Sequence, residues 1–120
     1  MFIGFLVAWL ALGPEQGTPV QPCDLQQSKA LELAARGLLD SRNYQSAAQQ
    51  FQAAYSACPS QRALLLDLSR AEASARNFQS AIQFAQEYLK SDPRSISGKL
   101  ALANADFMAQ KLQAARDCRR

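Results

Sequence analysis

The stretch NYQSAAQQFQAAYSACP, residues 43–59, returns as NFQSAIQFAQEYLKSDP, residues 77–93. Tyr44 with Phe78, Gln45 with Gln79, Ser46 with Ser80, Ala47 with Ala81, Gln49 with Gln83 and Pro59 with Pro93 all stand 34 residues apart. A third, partial copy starts at Lys111, where KLQAARD places Leu112, Gln113, Ala114, Ala115 and Asp117 one further period on. A fixed period of this length marks stacked supersecondary units, because no single unit can bury its apolar face alone.

Each unit divides into two helices. The second helices are predicted over 44–57 and 78–91, where Ala48, Phe51 and Ala54, then Ile82, Ala85 and Tyr88, recur at helical spacing on one face. Ala47, Ala81 and Ala115 are small beside a large aromatic or aliphatic neighbour, as helices in close contact require, so they are expected at the tightest crossings. The first helices are predicted over 24–41, 60–75 and 94–109, on Leu31, Ala34, Ala35 and Leu38, then Leu65 and Leu68, then Leu102. Pro59 and Pro93 close the units, since proline cannot continue a helix but fits the first turn of the next, and Asp92 is typed as an N-cap. No strand-like alternation stands out, and the fold class is all-α.

The period and residue types resemble the tetratricopeptide repeat (TPR) family, whose motif runs over about 34 residues. The first copy supplies Leu31, Ala34, Ala35, Leu38, Ala47, Phe51 and Pro59. The second supplies Leu65, Leu68, Ser69, Glu72, Ala81, Ala85 and Pro93, with Glu72 and Ala85 departing from the pattern. The third is partial, through Lys99, Leu102, Ala103, Asp106 and Ala115. The resemblance implies a helical-repeat solenoid of antiparallel helix pairs over residues 23–120, with units at about 28–61, 62–95 and 96–120.

Stacked pairs of this kind curve, and in this family the first helices line a concave groove that takes extended peptides or partner helices. Carried over by register, the groove residues implied are Glu32, Leu66 and Leu100; Arg36, Arg70 and Asn104; and Leu39, Ala73 and Phe107. The arginines and Asn104 would form a polar ladder for a peptide backbone or carboxylate, with Leu66, Leu100, Phe107 and Met108 adding apolar contact. The Lys and Asn set by which some relatives hold a terminal carboxylate is not reproduced, because Glu32 has the wrong charge and Leu66 and Leu100 are apolar.

Residues 1–22 differ in kind. MFIGFLVAWLALG carries no charge, and a Pro, Gly and Gln linker follows it. An export signal is the first reading and a membrane anchor the second, although no Lys or Arg precedes the apolar run and it is shorter than the roughly 20 residues of a spanning helix. The chain is therefore expected to be exported, periplasmic or secreted, or membrane-tethered, with a cytoplasmic location left open. Cys23, Cys58 and Cys118 are odd in number, so any disulfide leaves one thiol over. Cys58 and Cys118 read as small, partly buried apolar residues.

The chemistry-bearing residues are sparse. The chain has no histidine, which removes the commonest general base and the usual zinc ligand sets, and there is no CxxC pair and no glycine-rich phosphate loop. The acids are dispersed, and Glu32 with Arg36 and Asp67 with Arg70 read as surface pairs within a helix. A net charge of +3 without a basic stripe and stacking aromatics argues against nucleic acid, and Arg116, Arg119 and Arg120 read as a solvated end. No catalytic residue, cofactor or metal is expected. The expected role is a non-catalytic protein-interaction module. The alternative is an assembly unit that stacks on further repeats or homodimerises through its incomplete last repeat, where Leu102, Phe107 and Leu112 have little cover.

Overall fold

The computed structural model describes residues 23–119, so the apolar leader, its linker and Arg120 lie outside the described residues. The described residues form five α-helices and no strand: α1 (Leu25–Asp40), α2 (Tyr44–Ala57), α3 (Ala63–Ser74), α4 (Phe78–Ser91) and α5 (Ile96–Arg119). The all-α class is as expected. Helices α2 and α4 fall on their predicted bounds, whereas α3 and α5 begin two to three residues late. Pro59 and Pro93 sit in turns ahead of those helices rather than in their first turns. Asp92 closes α4, and the cap of α5 is Ser95, whose Oγ accepts from the Gly98 N–H at 3.0 Å. Asp24 caps α1 by accepting from Gln27 N–H at 3.0 Å.

Two turns have the same construction. After α1, Asn43 N–H donates to Leu38 O at 2.8 Å and Arg42 N–H to Leu39 O at 2.9 Å, with Arg42 in the left-handed region at φ 64°. After α3, Asn77 N–H donates to Glu72 O at 2.8 Å and Arg76 N–H to Ala73 O at 3.0 Å, with Arg76 at φ 70°. This is the paired closure that satisfies the last carbonyls of a helix, most often with glycine at the left-handed position. Arginine there costs about 1 kcal/mol of backbone strain. Asn77 then donates its side-chain amide to Glu72 Oε1 at 2.9 Å and Gln45 Oε1 at 3.3 Å, tying the second turn to α2.

The third unit departs from expectation. Its return helix at Lys111 does not form, and residues 111–119 extend α5 in one run of 24 residues. The positions equivalent to the Arg–Asn pairs are Gln110 and Lys111. The difference lies at the second position: Asn43 and Asn77 stand as N-caps of the return helices, a place asparagine favours, whereas Lys111 is a strong helix former and lets the helix continue. Ala115 is accordingly exposed and marks no helix crossing, while Ala47 and Ala81 are both at 0 % exposure.

The core centres on Ala35, Ala48, Phe51, Ala54, Leu64, Leu65, Leu68 and Ala71, with Leu31, Leu39, Tyr55, Phe84 and Tyr88 packed against it. Ala34, predicted on the apolar face of α1, is exposed. Each helix packs on the next in the chain, and α3 also touches α5. Two buried hydroxyls fasten helices together: Ser28 Oγ donates to Ala54 O at 2.8 Å and Ser69 Oγ to Ala81 O at 2.8 Å. Gly98 is buried because α4 lies close by; a Cβ there would stand 2.8 Å from Leu89 Cδ2. The cysteines differ from their sequence reading. Cys58 is buried in a disulfide with Cys23 that joins the start of α1 to the end of α2, and Cys118 is exposed.

Candidate functional site

The groove residues implied by the repeat register separate into two groups. On α1 and α3, Arg36 is engaged by the protein itself. Its Nη2 lies 2.8 Å from Glu32 Oε2 and 3.2 Å from Asp67 Oδ2, and its guanidinium stands 5.9 Å from the centre of the Phe51 ring. Arg70 Nη1 approaches the same Asp67 at 3.9 Å. The two pairs read from helical spacing are thus present, and Asp67 joins them into one network across α1 and α3. Leu39 is half-buried against the core, and Leu66, at 9 % exposure, offers no free apolar surface to a ligand.

Burial is the largest influence on Asp67 and pushes its carboxyl above the usual range, more than Arg36 and then Arg70 pull it down. The hydrogen bonding that Arg36 donates to Glu32 is the largest influence on Arg36 and favours its charged form. This network links α1 to α3 at the surface, with the Arg36 side chain 50% exposed and that of Arg70 61%.

The second group does come together. Arg70 and Asn104 line one cavity of about 450 Å³ with Arg76, Phe78 and Met108, between α3 and α5. Along the outer face of α5, Leu100, Asn104 and Phe107 recur at helical spacing and are all exposed, Leu100 at 65 % and Phe107 at 59 %. Lys111 Nζ sits 6.0 Å from the Phe107 ring. The result is an open apolar and amide strip beside an arginine, suited to holding a chain segment by its side chains and backbone.

Arg42, Arg76 and the cavities around them were missed by sequence reasoning, which took the repeat to begin at Asn43. The signal was present one residue earlier, as Arg42-Asn43 and Arg76-Asn77, 34 residues apart. Among the described residues no cluster of His, Cys, Asp and Glu is placed to hold a metal ion. The serine hydroxyls at 0–1 % exposure, Ser28 and Ser69, are spent on backbone carbonyls. Comparison with protein families and with curated proteins yields no match.

Proposed function

We propose that this chain is a non-catalytic protein-interaction module built from TPR-like antiparallel helix pairs, binding a peptide or partner helix along α3 and α5. The observation that carries the reading is the uncovered strip Leu100, Asn104 and Phe107 beside Arg70 and Asn104's shared cavity. Support for the repeat architecture comes from features that recur with the sequence period: the same turn closure at Arg42 and Arg76, and fully buried alanines at 47 and 81. Contiguous exposed apolar surface, rather than a single exposed side chain, marks an interaction site, and Leu100 and Phe107 share one face of α5 across Asn104. In this reading Arg36 acts inside the fold, and Arg70, Leu100, Asn104 and Phe107 are the contact residues.

An exported or tethered location belongs to the same proposal. The apolar residues 1–13 motivate it, and the Cys23–Cys58 disulfide suits an oxidising compartment. No helix among the described residues is long and apolar enough to cross a membrane.

The second reading, self-assembly through the last helix, is favoured by the exposure of Ala115, Leu100 and Phe107 on one element. Light scattering of the full chain, with a photo-crosslinking residue placed at Leu100, separates the two. A monomeric mass with adducts to another protein is the expected outcome. A dimeric mass with self-adducts would establish the second reading and remove the first.

A further inference from the structure

Three cavities adjoin along the edge of the molecule where the two repeated turns lie, and Arg76 lines all three. The first, about 370 Å³, has Arg42, Tyr44 and Arg76. The second, about 450 Å³, has Arg70, Arg76 and Asn104. The third, about 460 Å³, has Arg76, Gln79, Gln113 and Arg116. No aspartate or glutamate lines any of them. Among the described residues, Arg42, Arg76 and Arg116 take part in no ion pair, and Arg70 reaches Asp67 only at 3.9 Å. Of the acids beside this edge, Glu72 accepts from Asn77 and lines a separate cavity with Gln45, Gln49 and Gln52, and Asp117 accepts from Gln113 at 3.2 Å.

The backbone adds an independent observation. Arg42 and Arg76 occupy left-handed positions, φ 64° and 70°, that glycine fills without strain, and the chain keeps arginine at both. Strain retained at a side chain with no partner inside the protein points to a use outside it.

We infer that this turn edge is a docking surface for an acidic peptide segment, rich in Asp and Glu and with spaced apolar residues, running from Arg42 past Arg76 to Arg116. The inference rests on the protein-interaction reading and gives its partner a chemistry. Guanidinium groups at successive turns pair carboxylates along the segment. The amide of Gln79 hydrogen-bonds its backbone, Gln113 being already donated to Asp117 Oδ1 at 3.2 Å, and Met108 and Leu112 at the cavity walls receive its apolar side chains. A nucleic acid fits less well, because Phe78 is buried and the half-buried Tyr44 is the one other ring lining these cavities, short of the series of faces on which successive bases stack.

The test is fluorescence anisotropy of a labelled peptide of three Glu-Leu-Glu-Glu repeats, titrated with the full chain, beside the same peptide with Gln for every Glu. Parallel arms use phosphatidylserine vesicles and a single-stranded DNA oligomer. The Glu peptide is expected to bind, with the Gln peptide about tenfold weaker. Arg42→Gly with Arg76→Gly is expected to lower affinity about tenfold while Tm stays level or rises, since glycine relieves the left-handed strain; this keeps a loss of binding distinct from a loss of fold. Lys29→Gln with Arg94→Gln, which removes equal charge elsewhere, is expected to change affinity by less than about twofold.

Equal binding of the two peptides, unchanged affinity in the double glycine variant, or preference for vesicles or DNA would each overturn the inference. If Glu-peptide binding were lost on Leu100→Ser with Phe107→Ser but kept in the glycine variant, the edge would be wrong and the interaction reading would stand. A dimer that binds neither peptide would remove both.

Discussion

The first four helices and the last one share a repeat yet not a structure. In residues 23–91 the second helix of each pair folds back, and Ala47 and Ala81 are sealed at 0 % exposure by a neighbouring helix. In α5 the same signature, Leu112 to Ala115, runs straight on and Ala115 faces solvent. The alanine therefore permits a close crossing without producing one. What produces it is the Arg–Asn turn at 42–43 and 76–77, which the third unit replaces with Gln110-Lys111. A small residue lowers the barrier to contact; a chain reversal supplies the partner.

Matched substitutions in the two regions test how far that difference extends. The largest contrast is between two phenylalanines. Phe51→Ala, at 0 % exposure in the core, is expected to lower unfolding free energy by about 3–5 kcal/mol in urea titration. Phe107→Ala, on the open face of α5, should change it by no more than about 0.5 kcal/mol, and a larger cost would mean that α5 is covered in solution. Next, Cys23→Ser with Cys58→Ser opens a loop of sequence separation 35 and is expected to cost about 4 kcal/mol. Hydrogen exchange should show the loss in α1 and α2 and spare α5.

Smaller still is the alanine pair. Ala81→Leu overfills a sealed crossing at about 1–3 kcal/mol, whereas Ala115→Leu is tolerated within about 0.5 kcal/mol. Equal costs would show that the third crossing exists after all.

The smallest effect concerns Asp67. Its folded-state carboxyl is raised by burial, so the stability tied to it is present below the ordinary carboxylate pKa and lost as pH rises through the raised value. Asp67→Asn removes that loss. The variant should match the parent near pH 3 and gain on it as pH rises toward 7, followed by thermal unfolding across that range. A gap that opened in the opposite direction would show that Arg36 and Arg70 outweigh burial.

The helices and the all-α class were legible in the sequence period. Helices α2 and α4 were legible to the residue because an aromatic start and a recurring Ala stripe define them, and the all-α class followed. The straight course of α5 was not legible from the repeat, because its letters recur at 112–115 although the turn residues do not recur at 110–111. The site was legible in part. Register placed Arg70 and Asn104 in equivalent positions, and both line one cavity. Register alone could not show that Arg36 would be taken by Glu32 and Asp67, or that Leu66 would sink to 9 % exposure, since both depend on which helix lies opposite. Nor did three cysteines reveal their pairing, which needed the ends of α1 and α2 to be seen side by side.

That pairing also decides how the molecule carries load. Tension applied to the residues before Cys23 passes through the disulfide directly to Cys58, and α1, α2 and the Arg42 turn hang outside the line of force. A pull on the N-terminal segment would reach α3 first, and the length stored in the first helix pair would be released only after reduction. The covalent clasp makes the first pair a slack loop under tension, whatever its stability at rest.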